Sequence, residues 1–398
     1  MRGRKPTRAV HLDAAWMNVR WVLHATRNKA LPNICIDCSP LLVRSAGVKT
    51  YLYHWLKALR AASPETIRTF LAPNNLSELL HEGGMQLHRR QILSLVSLNI
   101  LPQLFTDMAV PRCDVFHVSN LLRRIPAAPR ISATIHDLTP WILPECHTPA
   151  TVAAEKAFAA RILARAASVM ADSENTRLDA IRILGIQPDK IRVVYLGVPD
   201  QYFCVSPQAV ASAKDACQLL RPYFLSIGTI EPRKNVDTLL AAWNSLPASF
   251  RDEYELVIVG MPGWQSDATM QRIRDAEGGG GVRYLGYVAE PNLPGLTAGA
   301  TALVYPSLYE GFGLPVAQAM AAGCPVITSN VSSLPEVAGD AALMIDPLSV
   351  SELAAAICRM GDSLELRERL RAAGIVQAGR FTWDKAAAAS LRYFSEMA

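Results

Sequence analysis

The sequence predicts an α/β protein built from two doubly wound, Rossmann-like domains. Three observations predict it. Short apolar runs alternate with helix-period patterns almost from end to end, the arrangement that builds parallel sheets covered by helices on both faces. The alternation breaks once, between Gly197 and Arg221, where Pro199 and Pro207 stand and no strand pattern occurs. The chain's 398 residues, half of them hydrophobic, suffice for two cores at roughly 150 residues per domain.

The elements follow in order. Ile34–Asp37, Ile67–Leu71, Val115–Val118, Ser132–Ile135, Ser168–Ala171 and Arg192–Leu196 read as the strands of the first half. Phe224–Ile227, Glu255–Val259, Val282–Leu285, Ala302–Tyr305, Val326–Thr328 and Leu343–Ile345 read as those of the second. Asn235–Leu246 reads as a helix, because Val236, Leu239, Leu240, Trp243 and Leu246 recur on one face. In His88–Phe105, Arg89 and Arg90 precede Ile92, Leu93, Leu95, Val96, Leu98, Ile100 and Leu101. Such a helix suits either a membrane surface or the core of the first domain. Ser333-Leu334-Pro335-Glu336 fits a helix capping box. Phe381–Met397 reads as a closing helix with Trp383, Leu391 and Phe394 as anchors. The expected organisation is therefore an extension at 1–32, domains at 33–205 and 206–380, and the helix at 381–398.

Composition narrows the function. A net charge of +5 is too small to argue for nucleic acid. No apolar run approaches the ~18 residues of a membrane-spanning helix, and no secretory cleavage pattern follows the N-terminus. In the first thirty residues Arg2, Arg4, Lys5, Arg8, Arg20, Arg27 and Lys29 are interleaved with Trp16, Met17 and Trp21. That segment reads as an interfacial stretch touching anionic lipid or, the favoured reading, as a disordered extension, with Met17 a candidate for the true start. Cys35-Ile36-Asp37-Cys38 has the spacing of a redox or zinc pair, but no second ligand pair stands at suitable distance. Buried free thiols are expected instead.

The stretch Tyr305 to Gln318 is the most informative. A strand run, Thr301–Val304, leads into it, and the Ala-rich run Val316–Ala322 leaves it as a helix. Between them one carboxylate, Glu310, stands before the turn Gly311-Phe312-Gly313-Leu314-Pro315. Pro315 suits the first helical position and Gly323 the stop. The free N–H groups and positive dipole end of such a helix bind phosphate. Glu310 beside that phosphate can hold sugar hydroxyls. A second turn, Gly228-Thr229-Ile230-Glu231-Pro232-Arg233-Lys234-Asn235, sets two cations between a strand and a helix. It reads as a diphosphate clamp or as a solvated loop. Gly47 lies between the first strand and the helix Thr50–Leu59, where a glycine permits close backbone approach to a ligand. His136-Asp137 ends a strand at its carboxyl edge, where open α/β sheets bind ligands. Asp137 suits a turn cap.

These residues resemble the signature of retaining glycosyltransferases of the GT-B fold, the group 1 or GT4-type family, and look most like bacterial mannosyltransferases of surface polysaccharide synthesis. The family pattern has an acid, seven residues, then a second acid. Glu310 fills the first position, and Gln318 stands in the second. In the family's phosphate turn an Arg follows the glycine and a Lys comes five residues later. Lys234 matches the Lys, Thr229 replaces the Arg, and Arg233 is a candidate to restore the charge. The resemblance covers nearly the whole chain from Cys35. It implies that the closing helix crosses back to the first domain and that His136 lies near the transferred sugar. It further implies that Gly47, Gly311, Phe312, Gly313 and Leu314 line the donor, and that the loop at Tyr287 meets the base through its backbone.

The implied reaction moves a hexose from a nucleotide diphosphate sugar, with retention, to a glycan or polyprenyl-linked acceptor. GDP-mannose is favoured as a substrate and no cofactor is expected. In the family the departing phosphate is thought to help deprotonate the acceptor, so no protein base is required. No Asp-x-Asp pair is present to hold a catalytic metal, and the dinucleotide, P-loop and Gly-x-Ser-x-Gly patterns are missing. Two alternatives remain at this point, a nucleotide-sugar epimerase of the same fold and a non-catalytic binding protein, the latter motivated by Thr229 and Gln318. The expected location is cytoplasmic, with peripheral contact at the inner membrane face left open.

Overall fold

A computed structural model describes residues 31–42, 47–72, 89–278 and 281–397. All twelve expected strands form: β1 (Ile34–Asp37), β2 (Ile67–Phe70), β3 (Val115–Val118), β4 (Arg130–Ile135), β5 (Ser168–Ala171), β6 (Ile191–Val193), β7 (Tyr223–Ile227), β8 (Glu255–Val259), β9 (Val282–Gly286), β10 (Ala302–Tyr305), β11 (Val326–Ser329) and β12 (Ala342–Ile345). They build two six-stranded sheets, ordered β2-β1-β3-β4-β5-β6 and β12-β11-β10-β7-β8-β9. The central strands are buried on both faces, as in β8 and β10, which is why they read as continuous apolar runs. The extension at 1–32 falls almost entirely outside the described residues.

Packing divides the chain into two units. The first, among the described residues, holds 31–42, 47–72, 89–131 and 384–397. In it the C-terminal helix Trp383–Glu396 meets the helix Gly47–Ala62, where the Trp55 indole N–H donates to Ser390 Oγ at 2.8 Å. Phe394 presents its ring edge-on to His117. In the same unit the helices Arg89–Ile100 and Gln103–Ala109 bury Leu95, Leu98 and Thr106 but leave Leu93, Val96, Ile100, Leu104, Phe105 and Met108 exposed.

The second unit, among the described residues, comprises 132–278 and 281–383. Its core stacks Phe250 on Tyr254 at 4.7 Å, with Phe224 and Trp243 against them. The break between Gly197 and Arg221 is not structureless. It contains the helix Pro207–Ala216, capped by Ser206 Oγ, which accepts from Ala209 N–H. This helix crosses Leu293–Ala298 so closely that a Cβ on Gly295 would lie 2.3 Å from the Ala209 carbonyl. Its buried face consists of Ala213 alone, which leaves almost no apolar period to read.

Candidate donor site at the carboxyl edge of the second sheet

The turn after β7 is shaped by three residues. Pro232 opens a single 3-10 turn, Pro232–Lys234, which sets Arg233 and Lys234 side by side. Asn235 then takes a left-handed conformation (φ 59°), which Asn tolerates, and its amide donates to the carbonyls of Pro306 and Pro347. Gly228 leaves room for the Lys234 stem, with ordinary contact at 3.6 Å from where a Cβ would stand. Both cations turn toward one carboxylate. Arg233 Nη1 reaches Glu310 Oε2 at 2.7 Å, and Lys234 Nζ reaches Glu310 Oε1 at 2.6 Å. The Tyr305 hydroxyl donates to Glu310 at 2.8 Å. Glu231, almost wholly buried, holds Arg233 Nε from the other side at 2.6 Å.

Glu310 is buried, and burial alone opposes its ionisation. Arg233 and Lys234, with the hydrogen bonds of Lys234 and Tyr305, outweigh burial and bring its pKa down to about 2. The same burial, reinforced by Arg233, lowers the Lys234 pKa against the pull of Glu310. For Glu231 burial prevails, and its pKa is raised despite Arg233. Two buried acids thus balance two cations.

The backbone around Glu310 is fixed as tightly as its side chain. Its N–H donates to Ser332 Oγ, and its carbonyl accepts from Ser333 Oγ. The next carbonyl, of Gly311, accepts from Ser173 Oγ at 2.6 Å and from Thr176 Oγ1 at 3.1 Å. A Cβ on Gly311 would lie 1.8 Å from the His136 carbonyl oxygen, so only glycine permits this approach. That contact brings Glu310 and His136 to one place. Gly313 (φ 93°) caps the helix Leu314–Ala321 in the left-handed region, with Pro315 in its first turn.

His136 Nδ1 pairs with buried Asp172 at 2.7 Å. Burial disfavours the imidazolium, but the charge and hydrogen bond of Asp172 prevail and raise its pKa. Asp137 Oδ1 accepts from Thr139 N–H and caps the turn. Gln318 lies half-buried on the helix Leu314–Ala321. Tyr287 follows β9 and is 46% exposed. Thr229 lies half-buried in the clamp turn. The Phe312 ring is spent on packing against Tyr195 and Phe381, so a contact with a ligand would have to come from its backbone. Gly47 opens the helix Gly47–Ala62 of the first unit, and a Cβ there would meet nothing. Among the described residues no group of three or more His, Cys, Asp or Glu could hold a metal ion.

Residues 212–377 match the family described as "Glycosyl transferases group 1", and residues 45–202 match "Glycosyltransferase Family 4". The O-antigen chain mannosyltransferase B of Escherichia coli is 38% identical over 256 residues, 64% of this chain and 67% of that protein. The chain belongs to the group 1, GT4-type glycosyltransferases. The serotype-specific mannosyltransferase WbdA of Escherichia coli is 28% identical over 58% of this chain, which spans only 29% of that longer protein. The sucrose-phosphate synthase of Thermosynechococcus elongatus shares the GT-B fold with a TM-score of 0.69 at 20% identity, covering 91% of this chain and 98% of its own.

In this glycosyltransferase the Ser333–Glu336 capping box does not form. The helix Leu334–Ala338 has no side-chain cap. Ser333 instead supports Glu310, and the Glu336 carboxylate accepts from the backbone N–H groups of Glu174 and Asn175 and from the Tyr195 hydroxyl. The acid caps a distant helix, Glu174–Leu184, whose orphan donors it satisfies. Glu231, Tyr305, Ser173, Thr176 and Ser332 also escaped the sequence reading. Glu231 alone carried a signal, as an acid two residues before a functional Arg. Tyr305 reaches Glu310 from only five residues away, whereas Ser173, Thr176 and Ser332 support through pairings that no local spacing encodes.

Proposed function

We propose that this glycosyltransferase moves a mannosyl residue from GDP-mannose, with retention at the anomeric carbon, to a glycan or polyprenyl-linked glycan in surface polysaccharide synthesis. The observation that carries the reading is the Arg233–Glu310–Lys234 cluster beside a helix N-terminus. Preorganised cations and N–H dipoles suit the charge that develops on a departing diphosphate. Arg233 supplies the fork missing at Thr229. Glu310, held ionised, is a ready acceptor for donor-sugar hydroxyls, and Gln318 offers a neutral amide to the ribose diol. The close approach of the His136 carbonyl to Gly311, next to Glu310, supports a place for His136 near the transferred sugar. The mannosyl and surface-polysaccharide assignments draw their support from the 38% identical relative, an O-antigen chain mannosyltransferase.

The test is a donor panel of GDP-mannose, UDP-glucose and UDP-GlcNAc, read by calorimetry and by mass spectrometry of the products. GDP-mannose is expected to bind best and to be transferred or slowly hydrolysed. Glu310→Ala is expected to lower kcat by about a thousandfold, on the scale of a lost transition-state contact. A fully active Glu310→Ala enzyme would falsify the site, and preferential turnover of a UDP-sugar would overturn the donor.

For a lipid-linked acceptor we further propose that the exposed apolar face at Leu93, Ile100, Leu104 and Phe105 rests on an anionic membrane. Between residues 89 and 130 six arginines accompany two aspartates, and Arg124 donates to the Ile100 carbonyl at the end of that helix. Cations beside exposed apolar side chains suit anionic lipid. Co-sedimentation with phosphatidylglycerol vesicles, lost in Leu104→Ser/Phe105→Ser and absent with phosphatidylcholine, is the expected result. Equal sedimentation of the double variant would refute it.

A further inference from the structure

We propose that Trp264, backed by His147, is a stacking platform for a pyranose ring of the acceptor glycan. The proposal rests on the reading of a glycan acceptor. Trp264 stands in the loop that leaves the carboxyl end of β8, and it is 37% exposed. Its neighbour Gly263 ties that loop to the cation clamp. Gly263 N–H donates to the Ile230 carbonyl, and a Cβ on Gly263 would lie 2.7 Å from Thr229 Cγ2. The indole is therefore one residue from the turn that carries Glu231, Arg233 and Lys234.

Its orientation is fixed from two sides. The indole N–H donates to the Cys146 carbonyl, so the polar atom of the ring is already engaged. The imidazole of His147 lies parallel to the indole, at 5.7 Å between centroids and 23° between planes. Both His147 ring nitrogens are buried without a hydrogen-bond partner. Burial lowers the His147 pKa against the pull of Asp137, so the ring is a neutral, flat backing. The segment that carries it continues from His136-Asp137. What remains available is indole surface beside the diphosphate clamp, reached by chains from both halves of the site. An aromatic face with its N–H occupied binds through C–H and dispersion contacts, and the apolar face of a sugar ring offers them.

The test uses the full chain and α-linked mannobiose as the probe, with GDP bound for the NMR and with GDP-mannose as donor for the kinetics. Saturation-transfer NMR reports contact with the sugar ring protons, acceptor KM reports the kinetic effect, and calorimetry reports GDP affinity. Trp264→Ala is expected to lose saturation transfer and to raise the mannobiose KM about tenfold, the scale of one aromatic contact, with GDP affinity unchanged. Trp264→Phe, which keeps a flat ring, is expected to retain saturation transfer and guards against a folding artefact. The platform is overturned if wild-type protein gives no saturation transfer to mannobiose. It is also overturned if Trp264→Ala weakens GDP with mannobiose unaffected, or if it changes neither. Wild-type protein that binds no GDP marks a failure of the donor reading instead.

Discussion

Glu310 is the residue whose chemistry depends most on its neighbours. Its carboxyl pKa is lowered by Arg233 and Lys234, so the stability it contributes is complete above the ordinary carboxylate value of 4.5 and fades as pH falls through about 2. Glu310→Ala leaves the buried Lys234 without its carboxylate partner and Arg233 with Glu231 alone. It is expected to destabilise the protein by about 3–5 kcal/mol, read as a lower urea midpoint at pH 7. His136 has the opposite sign. Its pKa is raised, so its contribution is complete below the ordinary 6.5 and is lost as pH rises through the elevated value. Asp172→Asn is expected to bring that titration down, visible in the imidazole C–H shift. Gln318→Glu restores charge to the predicted ribose contact and is expected to tighten GDP about tenfold by calorimetry.

Among the elements, the strands were legible and the supports were not. β8 and β10 are apolar on both faces, and no helix period competes with four or five such residues. Glu310, Arg233 and Lys234 could be read because their turns carry unusual local composition. Ser332 could not, because it meets Glu310 through a bend at φ 56°. Nor could the true partner of Glu336, which lies more than a hundred residues upstream. The capping box failed because a motif read over four residues competes with tertiary partners it cannot see. The turn at Gly311 offers a sharp test at this scale. Gly311→Ala drives a methyl into the His136 carbonyl, and backbone must move. The expected cost is about 1–3 kcal/mol of stability together with a larger loss of kcat. Wild-type kinetics would show that the Glu310 turn tolerates displacement.

At the scale of the whole molecule, the C-terminal helix groups with the first unit, although it follows the second in sequence. Truncation before Asp384 removes Ser390 and Phe394 from Trp55 and His117, and it is expected to lower the melting temperature and to expose tryptophan to quencher. The charged cluster has a different distribution. Glu231, Arg233, Lys234, Glu310 and His136 all belong to the second unit, and Ser173 and Gly311, which meet beneath it, are 138 residues apart. So wide a loop closes late, because its entropy is lost before its contacts reward it. A ligand that binds only after that closure acts as a thermodynamic probe of one cooperative block. GDP at a hundred times its Kd adds about 2.7 kcal/mol to whatever unfolds together with the cluster. Amides whose hydrogen exchange slows by that amount would outline the second unit residue by residue, and amides of the first that stay unchanged would mark where one folding event ends and the other begins.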